Sequence, residues 1–180
     1  MTLPQEATPQ ETERAGALAT PTPTSSERAT PTPGWRLAFL AGLAPLAAGI
    51  VTLVTTWLAI TRPDEPWWTG IGDLGFSYAS LSAAGSGADA WVQLNASVGG
   101  VNIVAGAIAV MTVAAFALRS GERWAWWFLA FSLLWVGLHD ATMATLYFLQ
   151  TGQPVMLLPY SYCALLAAGL MRSRRIAIAR

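Results

Sequence analysis

The 180-residue sequence has no lysine, one histidine (His139), one cysteine (Cys163) and only 11% charged residues. Each scarcity excludes something. A lone cysteine permits no disulfide within the chain and no cysteine-cluster metal site. A lone histidine cannot supply two axial haem ligands, and the His, Cys and Asp outside the loops fall short of the three or four ligands that zinc requires. No metal and no cofactor are therefore expected. Soluble domains carry about 25% charged residues, so the composition argues against a water-soluble globule. Ten arginines offset ten acidic residues, and no basic patch points to nucleic acid.

What is abundant is apolar: 54% of residues are hydrophobic, and nine are Trp. Residues 1–34 stand apart. They are rich in Thr, Pro, Ala and Glu and contain no aromatic residue. Such a segment cannot bury enough apolar surface to offset its ordering entropy, so a disordered tail is expected, without the basic start of a cleavable signal. Four apolar stretches follow, at about 37–61, 91–118, 124–149 and 154–171. Each reaches the roughly 18 residues needed to cross a hydrocarbon layer. Backbone groups in lipid must be satisfied internally, so the expected fold is all-α, a four-transmembrane-helix bundle over residues 35–172. Pro45 and Pro159 are expected to kink the first and fourth helices, and residues 173–180 to form a short basic tail.

Arginine placement orients this bundle. Arg36, Arg119, Arg123, Arg172, Arg174 and Arg175 fall at one set of helix ends, and only Arg62 at the other. The positive-inside rule then puts both termini in the cytoplasm and the 62–90 loop outside. Trp67 and Trp68 in that loop are expected at headgroup level, followed by a short interfacial helix through Leu74, Tyr78 and Leu81. Its simplest role is a cap, and a lid over an outward-facing cavity is the sharper alternative. Arg119, Arg123, Trp124, Trp126 and Trp127 anchor the opposite interface.

The stretch "FSLLWVGLHDATMATLYFL" places His139 and Asp140 deep in the third helix. At about the same depth stand Thr52, Asn102, Tyr160 and Ser161, which together would form one polar layer. Asn95, Gly99, Asn102 and Gly106 share one face of the second helix, as small and polar residues do where membrane helices meet. Adjacent residues point about 100° apart, so His139 and Asp140 are expected to find separate partners on neighbouring helices. A carboxylate at that depth must pair, face water or stay protonated. The cluster is either a packing device or a ligand pocket.

The "RSGERWAWW" turn, with "GGVNIVAG" before it and a histidine within the following helix, resembles a group of small four-helix bacterial membrane proteins without an assigned activity. The likeness covers residues 37–172 and implies the topology but no reaction. The expectation is therefore an inner-membrane binding or accessory protein, non-enzymatic, in contact with the bilayer. Its partners would be a lipid or other hydrophobic small molecule, a second copy, or another membrane protein. A small intramembrane enzyme or ligand carrier using His139 and Asp140 is the first alternative, and a proton-coupled transporter the second.

Overall fold

A computed structural model describes residues 30–68, 73–85 and 87–178. The expected 1–34 tail lies outside these residues up to Ala29. Its last residues do not behave as tail: the Thr32 amide donates to the Arg119 carbonyl (3.1 Å), fastening the chain to the turn between the second and third rods.

The structure is mostly helical. The first rod consists of α1 (Trp35–Ala41) and α2 (Leu43–Thr61). Pro45 has no N–H to give the carbonyl one turn back, and the rod breaks there, at Gly42. A small antiparallel hairpin follows, β1 (Pro66–Trp68) with β2 (Asp73–Ser77), paired Pro66 to Ser77 and Trp68 to Asp73. Next comes α3 (Tyr78–Ala83), opened by a capping box between Ser77 and Ser80. Leu74 thus lies in a strand, and the expected interfacial helix starts only at Tyr78.

The second rod is α4 (Ala88–Thr112), ending in a π turn over Val113–Leu118. The third is α5 (Arg123–Ser132), a π turn over Leu133–Gly137, then α6 (Leu138–Thr151). The fourth, α7 (Leu157–Ile178), starts later than the apolar stretch and runs past Met171 through three arginines, replacing the expected basic tail. Pro159 causes no kink. It is the third residue of α7, in the first turn, where its missing N–H has no intrahelical acceptor.

Three rods, Trp35–Thr61, Ala88–Leu118 and Arg123–Thr151, are long and apolar enough to cross a membrane. Their outward faces carry large exposed apolar side chains, among them Trp57, Phe116, Leu134 and Leu149. A soluble monomer rarely exposes so continuous an apolar surface. The fourth rod is more polar, carrying three exposed arginines near its end. It lies against α1, α2, α5 and α6, and its Tyr and Ser groups are hydrogen-bonded.

Small residues set the close crossings. A side chain on Gly49 would begin 3.0 Å from the Val104 amide, and one on Gly100 would begin 2.9 Å from Leu53. On the second rod the inward stripe is therefore Gly100, Ala107 and Ala114, all buried. The expected stripe is one residue away, and it faces outward: Asn95 and Asn102 are exposed, and Gly99 and Gly106 have open space around them. The largest buried cluster includes Ala38, Ala114, Leu118, Leu129, Leu166 and Leu170. It binds the rods at the end that carries Arg119 and Arg123.

Candidate functional site

The third rod builds the site, and its π turn decides which residues reach it. Buried positions run Ala125, Leu129, Ser132, then Gly137 and Ala141. The step from Ser132 to Gly137 is one residue longer than an α turn allows, and the Leu138 amide donates to the Leu133 carbonyl five residues back. One extra residue rotates all that follows by about 100°. Without it, the inward stripe would continue through Val136 and His139.

His139 consequently points outward, its side chain 66% exposed, and Asp140 stands at the edge of the interior at 53%. Among the described residues neither has a hydrogen-bond partner on another helix. Instead His139 Nδ1 meets Asp140 Oδ1 at 3.4 Å, at the long limit of a hydrogen bond. The expected separation by helix geometry is overcome because two flexible side chains on the same surface can swing together.

Asp140 lines a cavity of about 620 Å³ between the first, third and fourth rods, with Ile103 of the second also reaching it. The walls are apolar: Pro45, Ala48 and Val51 on α2, Val136 and Ala144 on the third rod, Leu158 on α7. Thr52 and Tyr162 also contribute, and Pro154 and Val155 bound the cavity at the turn between the third and fourth rods. Among the described residues, Asp140 is the one charged group on the wall.

The other polar groups on the wall, Thr52 and Tyr162, are already engaged, and so are Tyr160 and Ser161 off it. Thr52 donates to the Ala48 carbonyl (2.9 Å) of its own helix. The Tyr162 hydroxyl shares a buried hydrogen bond with Ser132 (2.8 Å). Tyr160 is bonded to Thr145 (2.8 Å), and Ser161 to the Leu158 carbonyl (2.7 Å). The expected polar layer is thus dispersed: Thr52 and Asp140 reach the cavity, whereas Asn95, Asn102, His139, Tyr160 and Ser161 do not line it.

Ser132 and Tyr162 were not expected to pair. Gly137 makes it possible, because a side chain there would begin 2.9 Å from the Tyr162 ring and from Cys163 Sγ. Gly137, Ala141 and Thr145 recur at i, i+4 and i+8, a small-residue pattern that marks a helix contact. That is the signal that identifies the face towards α7.

The anchors divide. Trp124 and Trp127 are exposed, as is Trp68. Trp126 is not a free anchor: its indole N–H donates to the Leu170 carbonyl (3.0 Å), joining the third rod to the fourth. Arg119 lies over the Trp35 ring at 5.2 Å, and Arg123 is exposed. Trp67, expected at headgroup level, is only 4% exposed, with Phe76 and Tyr78 rings each 6.2 Å away. The hairpin needs that apolar plug against the end of α2. Its described residues do not line the large cavity; they border a smaller one of about 80 Å³ with Thr55, Leu58 and Arg62. Among the described residues no cluster of three His, Cys, Asp or Glu side chains could hold a metal ion.

Comparison with protein-family models, curated proteins and solved structures found no match to this chain.

Proposed function

We propose that this chain is a four-crossing integral protein of the bacterial inner membrane that binds an apolar small molecule between its first, third and fourth rods. The observation that carries this is the cavity of about 620 Å³ with apolar walls and one carboxylate. Ligand sites have this size and composition, a few polar groups fixing orientation within a hydrophobic lining. Of His139 and Asp140, Asp140 alone lines it. A binding role needs no more than that, whereas an enzyme would need a second reacting group beside it.

Both termini are placed on the cytoplasmic side. The supporting facts are Arg36, Arg119, Arg123, Arg172, Arg174 and Arg175 in the sequence and the two ties at that end, Thr32 to Arg119 and Trp126 to Leu170. Reporter fusions at the two ends should read the same compartment. The binding test is extraction: lipid-soluble molecules that co-purify with the wild-type chain are identified by mass spectrometry and compared with those on Ala144→Trp, which fills the cavity. A species retained by the first and missing from the second is expected. Identical extracts would remove the binding role.

A further inference from the structure

The chemistry of the cavity specifies its ligand more narrowly, granted that the cavity is a binding site. Every hydroxyl on its wall is committed to a protein partner: Thr52 to Ala48 and Tyr162 to Ser132. Asp140 is different. Its Oδ1 has one long contact with His139, at 3.4 Å, and its Oδ2 accepts no hydrogen bond among the described residues. No arginine lines the cavity, and the one ion pair elsewhere among the described residues joins Arg62 to Glu65. The unspent capacity on the wall is thus acceptor only and negatively charged.

A carboxylate among apolar side chains within a membrane is costly without compensation. With His139 neutral, a ligand ammonium supplies both what is missing, a positive charge and N–H donors, and charge-assisted hydrogen bonds are roughly twice as strong as neutral ones. The remaining walls, Ala48, Val51, Val136, Ala144 and Leu158, offer only dispersion and apolar contact. We propose that the cavity selects a lipophilic amine: a hydrocarbon body against α2 and α7, with its cationic head on Asp140. A neutral lipid with a hydroxyl head would fit the same walls but leave the charge uncompensated.

The test is a matched pair of probes, dodecylamine and dodecanol, offered to the full chain in neutral detergent, with bound adducts counted by native mass spectrometry. Wild type should bind the amine about tenfold more tightly than the alcohol, the difference between a charged and a neutral hydrogen bond. Asp140→Asn should bind both alike, and Asp140→Glu should keep the preference, which separates lost charge from a lost fold. Ala144→Trp should bind neither. Equal wild-type affinities, or a preference that survives Asp140→Asn, would overturn the amine and leave the cavity standing. Binding of neither probe by wild type, or of both by Ala144→Trp, would overturn the site itself and the amine with it.

Discussion

Deleting Leu134 tests the π turn that aims Asp140. Leu134 is 64% exposed, so its removal takes away no packed side chain. If Leu133–Gly137 carries one surplus residue, the deletion closes the bulge into an ordinary α turn. Ser132 and Gly137 then stand one regular step apart, and both keep their places against Tyr162. Stability should change by no more than about 1 kcal/mol, as for an exposed position. If the segment were regular α-helix, the same deletion would turn the rest of the rod by about 100°. Leu138 would enter the Gly137 slot, where a side chain would begin 2.9 Å from Tyr162 and Cys163. Overpacking of that kind costs about 1–3 kcal/mol. The Thr145–Tyr160 bond (2.8 Å) would be lost too, at about 0.6 kcal/mol for an average interhelical bond in a membrane. Deleting Met143, an exposed residue within regular α6, supplies the comparison, since it must incur the rotation. Helicity followed by circular dichroism through a denaturing-detergent titration would rank the three chains. Leu134 and Met143 deletions that melt alike, both well below wild type, would refute the surplus residue.

Other expectations follow from the close contacts. A side chain on Gly169 would begin 2.9 Å from the Ala38 amide nitrogen and 3.0 Å from the Gly34 carbonyl oxygen. Backbone cannot step aside, so Gly169→Ala should cost about 1–3 kcal/mol in the same titration. Gly106→Ala meets nothing within 4 Å and should stabilise by about 0.4–1 kcal/mol. Tyr162→Phe and Ser132→Ala remove the two ends of one buried bond (2.8 Å). A double-mutant cycle should give a coupling of about 0.6 to 1.7 kcal/mol, and no coupling would mean the hydroxyls do not meet. Asn102→Leu, on an exposed face, should leave the unfolding midpoint unchanged or raise it; a marked loss would show that the amide holds the monomer together.

The helices were legible because length and apolar content are enough to call for them in lipid. Which face of each helix turns inward was not. On the second rod, Gly99 and Gly100 are adjacent, and two small-residue stripes run side by side through "VGGVNIVAGAIAV". One contains Asn102, and polarity draws attention to it, yet Leu53 packs where Gly100 leaves room and Val104 where Gly49 does. On the third rod an ideal 3.6-residue period carries the stripe from Ser132 to His139, and a single π turn undoes that projection. Nothing in "LLWVG" announces a π turn by propensity. It follows from Gly137 and Tyr162 reaching their closest approach, which is a property of two segments together.

The same rotation explains why the lone acid was visible in the sequence while its surroundings were not. Composition marks Asp140 as costly in an apolar helix, and by itself that cost predicts a partner on a neighbour. The neighbouring hydroxyls are used to tie rod to rod: Tyr162 with Ser132, Tyr160 with Thr145. Both ties join the third and fourth rods, and neither reaches the first. Between α2 and that pair no side-chain hydrogen bond spans the gap among the described residues, and the cavity occupies it. Asp140 is left at the boundary between the joined rods and the gap, and among the described residues its carboxylate is held only by its own neighbour in the chain. An acid so placed contributes little to packing, and its restraint comes from its own helix and the His139 ring beside it. The proposed amine would supply the partner that the neighbouring rods do not.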